Sequence, residues 1–312
     1  MTIAVIGTVF VDIKGYGNAK INAETKNVGL IEFANGGVAR NVAEAIGRAG
    51  GTVEFLSSVD ETAQGAAVVK DLQNIGVKTD RVIKCNQGMG MWLAVLDGGG
   101  ELVASVSQKP DLNGLQSMLL TQGEDIVKQS SAIVIEFDLS DEVVSKMMAW
   151  AKQYNKPVYG IVGNLEILMQ RRSMIDQLDL FICNKGEAEE YFKRPLNGTD
   201  DCLQAARELT ANGLKIAVVT MGEHGSVYYD SRTQTSGHVP CEKVTVVDTT
   251  GAGDSFFSGT VYGLTSGFDL DQAVRCGTQM AAWTISSKHN VCPQISEGVK
   301  TSPYFAPAVG SK

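Results

Sequence analysis

A mostly parallel β-sheet covered by helices on both faces is the architecture the sequence predicts, an α/β fold. Three observations carry that expectation. Short β-branched runs alternate with stretches of helical periodicity through most of the chain. The 312 residues are 44% hydrophobic and 20% charged, which supplies apolar material for a large core. No Pro/Ser-rich linker divides them, so residues 1–312 read as one α/β domain.

In chain order, residues 3–6 are a first strand that follows Met1 directly. With no basic leader and no small-residue cleavage site ahead of it, the protein is expected in the cytoplasm. Residues 53–57, 133–136, 157–161, 180–183, 217–220 and 226–229 are further strands, apolar runs of the kind that a sheet buried on both faces requires. Between them, residues 42–48, 65–75, 140–154, 200–212 and 270–286 carry helical patterns. Two regions break the rhythm. Residues of about 12–34 do not fit a strand–helix unit, and those of about 88–107 form a hairpin around Asp97-Gly98-Gly99-Gly100. A small sheet built from both regions can cover the sheet edge where ligands of open α/β folds bind, as a lid.

Charge and length exclude several partners. Lys+Arg 27 against Asp+Glu 35 leaves a net charge of -8, the wrong sign for neutralising a phosphate backbone, so nucleic acid is not an expected partner. The longest apolar stretches, such as 131–137 and 214–220, fall far short of the ~20 residues of a membrane span. The six cysteines form no C-x-x-C pair and the three histidines do not cluster with them, which points to free thiols and not to a zinc or redox site. Glycine is abundant, 34 residues, and falls in aperiodic clusters that mark tight turns near ligands.

The strongest cluster is Val246-Val247-Asp248-Thr249-Thr250-Gly251-Ala252-Gly253-Asp254. An apolar strand end is expected to lead into the Gly-Ala-Gly turn and then a helix whose core face holds Phe257, Val261 and Leu264. The free N–H groups of Gly251, Ala252 and Gly253 at that helix start favour an anion, so a phosphoryl group in transfer can be held with no basic side chain. Asp254 at the mouth of the anion site is placed to accept a proton from an attacking hydroxyl. Other nucleotide motifs fail. No Gly-Lys dipeptide occurs, which removes the Walker A loop, and Phe256 stands where a dinucleotide fingerprint needs its third glycine.

Asp248 to Asp254 resembles the C-terminal signature of the ribokinase-like (PfkB) carbohydrate kinases, and Gly36-Gly37-Val38-Ala39-Arg40-Asn41 resembles their N-terminal one. The likeness runs over essentially the whole chain and implies a three-layer αβα sandwich with a β lid. It implies ATP and Mg2+ as cofactors, a small-molecule sugar or nucleoside as acceptor, Asp254 as catalytic base, and Gly251, Ala252 and Gly253 as the anion hole. Asn184-Lys185-Gly186-Glu187 resembles the family's Asn-x-x-Glu motif, with Asn184 at the nucleotide and Glu187 holding magnesium largely through water. Thr220, Gly222 and Gly225 resemble the nucleotide loop. Asp248 and Thr250 match positions that ligate a monovalent cation such as K+ in several members, with carbonyls near residues 285–290 completing the shell.

On the acceptor side the likeness implies Asp12, Gly36, Gly37, Asn41 and Asp138 as contacts to sugar hydroxyls. Arg40, Asp12-Ile13-Lys14-Gly15-Tyr16 and Ser286-Ser287-Lys288-His289-Asn290 resemble bacterial pseudouridine kinases more than ribokinases or fructokinases. The expected reaction is phosphorylation of the hydroxymethyl group of a ribose-like acceptor, pseudouridine first. Ribose, fructose, a keto-deoxy sugar acid or a purine nucleoside are the alternatives within the family, and an idle sugar or nucleotide sensor is the alternative outside it. Tyr16 or Trp92 is the candidate aromatic face for a base. Residues 160–164 depart from the family pattern by lacking an acidic residue, and an apolar sheet at 89–95 is expected to pair the lid with a second copy as a homodimer.

Overall fold

The computed structural model describes residues 1–163 and 165–306. A nine-stranded sheet carries the molecule, in the order β13-β12-β11-β10-β9-β8-β1-β4-β5. Its strands are β1 (Thr2–Ile6), β4 (Thr52–Val59), β5 (Lys78–Lys84), β8 (Ala132–Glu136), β9 (Val158–Ile161), β10 (Leu180–Asn184), β11 (Ile216–Thr220), β12 (Ser226–Asp230) and β13 (Thr235–Val239). β5 through β11 pair in parallel, while β12 and β13 are antiparallel. β2 (Phe10–Gly17), β3 (Gly29–Gly36), β6 (Gly90–Leu96) and β7 (Leu102–Gln108) form a separate four-stranded sheet in the order β3-β2-β6-β7.

The strand residues divide by parity between two cores. Ile133 and Ile135 face Leu115 and Leu119 of α3 (Asn113–Gln129) and Val143 and Met147 of α4 (Asp141–Gln153). α7 (Lys185–Phe192) and α8 (Thr199–Leu209) share that layer. Ala132 and Val134 face the opposite core, built by α1 (Val38–Arg48), α2 (Ala63–Asn74) and α9 (Ala252–Thr265). α10 (Leu270–Ile285) and α11 (Ile295–Thr301) extend that side, and α5 (Leu165–Gln170) and α6 (Arg172–Ile175) lie between β9 and β10 in the chain. Apolar side chains on both faces of one strand are what a sheet between two helical layers demands, and the result is the expected ribokinase-like αβα sandwich.

Some elements differ from expectation, each for a local reason. α1 begins four residues earlier, because Gly37 at φ 94 caps it and the Gly-Gly turn belongs to the helix start. β5 and β13 escape a reading based on apolar runs since both are edge strands rich in polar residues. The strand expected just before the Gly-Ala-Gly turn does not form. Val244, Val246 and Val247 are 39%, 57% and 50% exposed, and Val247 N–H spends its bond on the Ile285 carbonyl (2.7 Å).

The order of the large sheet reverses at β1, with β4 and β5 to one side and β8 to β13 to the other. Open α/β sheets bind ligands at such a switch point, beyond the carboxyl ends of the strands. Thr8 follows β1 there, Glu136 ends β8, Asn184 ends β10 and Thr220 ends β11.

Candidate active site

Two cavities meet at that edge, and Asp254 lines both. The larger, about 560 Å³, is lined among others by Asp12, Gly36, Gly37, Asn41, Asp138 and Gly251. The smaller, about 240 Å³, is lined among others by Asn184, Glu187, Thr220, Gly253 and Phe257. Val38 and Gly163 complete the wall they share. Residues expected on the acceptor side thus gather in one cavity and Asn184, Glu187 and Thr220 in the other, with the carboxylate of Asp254 between them, while Gly222 and Gly225 line neither.

Backbone geometry puts Asp254 there. Gly251 is the left-handed cap of α9, at φ 76, and a Cβ on it would collide with the Asn290 carbonyl, so the turn needs glycine twice over. The N–H groups of Gly253 and Asp254 make no hydrogen bond to any described residue, as the first turn of a helix leaves them. Ala252 departs from the expected triad: its N–H turns back on the Thr249 carbonyl (3.2 Å). The Asp254 carboxylate accepts a bond from Asn41 Nδ2 (2.7 Å). Burial pushes its pKa up to about 6, and the Asn41 bond and the nearby Arg40 cation keep it from rising further.

The acceptor cavity concentrates carboxyl groups. Gly37 leaves no room for a side chain, since a Cβ would stand 2.6 Å from the Thr8 carbonyl and 2.8 Å from Phe10 N. Gly36 lets the Asp12 carboxylate lie flat against β3, 3.0 Å from where a Cβ would be. Burial raises Asp12, against the pull of Lys14, Asn290 and Arg40. Burial likewise raises Asp138, with Lys109 and Arg171 opposing.

Glu136 is a residue the sequence reading passed over. It is 2% exposed at the end of β8, receives Thr8 N–H (2.6 Å) and Thr8 Oγ1 (2.9 Å), and is raised by burial and by Asp138. Burial and the neighbouring Asp138 thus favour the protonated form of Glu136. The signal was present, an acidic residue closing an otherwise apolar strand. Arg171 was missed as well: it braces the Asp138 loop through the Phe137 and Leu139 carbonyls and Asp141 (2.7 Å). Gly163 sits beside this pair, with a Cβ position 3.6 Å from Glu136 Oε1, so the carboxylates at that corner come from β8 and not from residues 160–163. Asn164, part of the same expectation, lies outside the described residues.

On the nucleotide side, Asn184 and Glu187 form a reciprocal capping box at the start of α7: Asn184 Oδ1 accepts from Glu187 N (2.9 Å) and Asn184 N donates to Glu187 Oε2 (2.8 Å). Burial raises Glu187 despite those bonds. Besides Asp254, the side-chain oxygens lining this cavity are those of Asn184, Glu187 and Thr220, a set that fits a hard cation that keeps most of its water, and among the described residues no group of three or more His, Cys, Asp or Glu could hold a metal by itself. Gly222 is exposed at φ 60, whereas Gly225 at φ 81 is buried and passes so close to the Val239 carbonyl that a Cβ would collide with it. The lack of a side chain at Gly225 therefore makes room for the protein's own β13. Asp248 Oδ1 accepts from Thr250 N (2.8 Å) and Oγ1 (2.7 Å); burial raises this carboxyl, but those bonds and Lys14 outweigh it and hold it below the usual range.

The aromatic expectations are revised. Phe10 and Phe137 line the acceptor cavity, while Tyr16 lines a neighbouring cavity of about 890 Å³ and Trp92 stands opposite Asp12 in the small sheet. Met89, expected at an exposed apolar surface, is fully buried.

The chain is 40% identical over 300 residues to the guanosine-inosine kinase of Exiguobacterium acetylicum, covering 96% of this chain and 99% of the relative. It is 26% identical over 295 residues to the pseudouridine kinase of Escherichia coli K12, covering 94% and 93%. Its fold matches the Arabidopsis thaliana ribokinase complexed with ribose and ATP at a TM-score of 0.81 and 19% identity, over 94% of this chain and 96% of that one. The model of the pfkB family carbohydrate kinases matches residues 2–293. The chain belongs to that family and is a phosphotransferase with an alcohol group as acceptor.

Proposed function

We propose that this protein transfers the γ-phosphoryl group of ATP to the 5′-hydroxyl of a ribonucleoside, with a purine nucleoside such as guanosine or inosine as the acceptor. The observation that carries the reading is Asp254 standing between an acceptor cavity and a phosphate cavity. A carboxylate there takes the hydroxyl proton as the oxygen attacks phosphorus, and ADP leaves on the far side. Gly251, Ala252 and Gly253 form the anion hole, with Ala252 N–H released from Thr249 when an anion arrives. Asp12, Asn41 and Asp138 hold the ribose hydroxyls, and Gly36 and Gly37 let the sugar approach the backbone. Asn184, Thr220, Gly222 and Gly225 shape the nucleotide side, and Glu187 holds magnesium through water. Magnesium, bound with ATP, neutralises charge on the phosphate oxygens. Asp248 and Thr250 are the side chains of a site for K+.

The 40% identity to a guanosine-inosine kinase favours the purine acceptor over pseudouridine, which the sequence motifs put first. Pseudouridine stays as a second reading, supported by the 26% identical relative. The chain works as one domain in the cytoplasm, and the four-stranded sheet acts as a lid that excludes water from the transfer. Two lids pair in a homodimer through exposed apolar residues of β3 and β7, among them Ile31, Phe33, Val103 and Val106.

ADP release with Mg-ATP, with and without potassium, across guanosine, inosine, adenosine, pseudouridine, uridine, ribose and fructose tests the reading. Guanosine and inosine are expected to lead, with potassium raising the rate. Preference for pseudouridine over uridine and over the purines supports the second reading, and turnover with a free sugar alone overturns the nucleoside acceptor.

A further inference from the structure

We infer that Arg40 is a positioning residue for Asp254: by taking the oxygen of the Asn41 amide, it forces the amide nitrogen to face the carboxylate of the base. The inference rests on the reading of Asp254 as the base. Arg40 and Asn41 are 6% and 5% exposed at the start of α1. Arg40 Nη1 donates to Asn41 Oδ1 (2.8 Å), and Asn41 Nδ2 donates to Asp254 Oδ2 (2.7 Å). A guanidinium offers only donors and a carboxylate only acceptors, so turning the amide over sets donor against donor at one end and acceptor against acceptor at the other. With Arg40 in place the Asn41 amide has a single allowed orientation, and Asp254 is held in register with the start of its helix.

The arginine is itself anchored by two further partners. Its Nη2 pairs with Glu44, which also accepts from Arg48 Nε (2.8 Å), and its Nη1 reaches the Asn35 carbonyl (3.0 Å) near the end of β3. Asn290 Nδ2 donates to the same carbonyl (3.1 Å), so the arginine joins the base of the small sheet to the catalytic carboxylate. Its Nε is buried without an acceptor among the described residues, a cost that burial of the side chain for packing alone does not explain.

The charged groups facing Asp254 are Arg40 from α1, Glu136 and Asp138 at the end of β8, and Asp12 from β2. Lys109 and Arg171 across the acceptor cavity and Glu187 across the phosphate cavity complete the set. Arg40 is the cation whose attraction acts on Asp254, so its removal shifts the titration of the base and not only the shape of the site.

The test is the pH dependence of kcat with guanosine and Mg-ATP in Arg40→Met, Arg40→Lys, Glu44→Gln and Asp254→Asn, each checked for fold by thermal unfolding. Arg40→Met is expected to lower kcat by about tenfold or more and to move the acid limb up by about 0.5 pH unit or more. Arg40→Lys keeps the cation and returns the limb toward wild type. Glu44→Gln leaves the cation less compensated and moves the limb the other way, to lower pH. Opposite shifts from two neighbouring substitutions are not produced by a general loosening of α1, and the lysine and glutamine variants carry the test if Arg40→Met does not fold. An inactive Asp254→Asn with unmoved limbs in the Arg40 and Glu44 variants overturns the role of Arg40 alone. An active Asp254→Asn overturns the base reading instead.

Discussion

Asp254 illustrates how one side chain acquires its chemistry from its surroundings. An aspartate in water is too weak a base near neutrality; burial at the wall between two cavities raises Asp254 to about 6, closer to what the proposed role of general base needs. Activity that needs the carboxylate should therefore rise with pH through about 6 and reach a plateau above it. Asp254→Asn should abolish turnover and leave ATP binding nearly intact, as measured by ADP release and by equilibrium titration; undiminished turnover would remove the base assignment. The same raised carboxyl costs stability in a defined window. Its folded value lies above the unfolded one, so its contribution is fully present below the ordinary aspartate range and is lost as pH rises through about 6. Asp254→Asn escapes that loss, and its unfolding midpoint should exceed that of the wild type by about 2 °C or more at pH 8 but not at pH 4.

At the scale of elements, one glycine turn and one sheet shape the candidate site. Gly251 carries a positive φ and lies against the Asn290 carbonyl, so Gly251→Ala must shift either α9 or the 287–291 loop. The expected cost is about 2–4 kcal/mol in denaturant unfolding, with loss of turnover in whatever fraction folds. A stable, active Gly251→Ala would mean that the turn can relax. The small sheet exposes Leu30, Ile31 and Phe33 on β3 and Val103 and Val106 on β7, each more than half exposed, on a structure too thin to bury them itself. If two lids pair, Phe33→Glu should convert a dimer to a monomer in light scattering at micromolar concentration. An unchanged mass in both proteins would remove the lid as the dimer surface.

Across the whole molecule, stability is unevenly spread. The central strands β1, β4 and β8 are buried between two helical layers, whereas β7 is exposed along its full length and β3 along most of it. Local opening should be cheap in the small sheet and close to global unfolding in the large one. Native-state hydrogen exchange should show residues 29–36 and 102–108 exchanging well before residues 132–136, with nucleoside and ATP together slowing residues 10–17. Equal exchange in both sheets, or no effect of ligands on 10–17, would argue against a lid. The net charge of -8 sets the acidic field in which this occurs, and under the proposed function the anionic nucleotide would be met by backbone N–H groups and not by a basic surface.

Sequence alone determined the layered α/β fold, the hairpin at Gly98-Gly99-Gly100 and the Gly-Ala-Gly helix start. Each is a local property, written in an apolar run, a glycine turn or a helical period. The same locality made Asp12, Asn41 and Asp254 legible, since each stands in a short motif. Glu136, Arg171 and Arg40 were not legible as candidate site residues, because their significance lies in groups far away in the chain: Glu136 meets Thr8 across 128 positions, Arg171 reaches the Phe137 carbonyl across 34, and Arg40 acts through its neighbour Asn41 on Asp254, 213 positions from Asn41. Only the tertiary structure could decide that Ala252 N–H is turned toward Thr249, that Gly225 serves its own β13, and that the valines before the turn find no strand to pair with. Spacing along a chain fixes which residues can share a turn or a face, but burial and cross-chain hydrogen bonds depend on which ends the sheet brings together, and here that is the edge beyond β1 and β8.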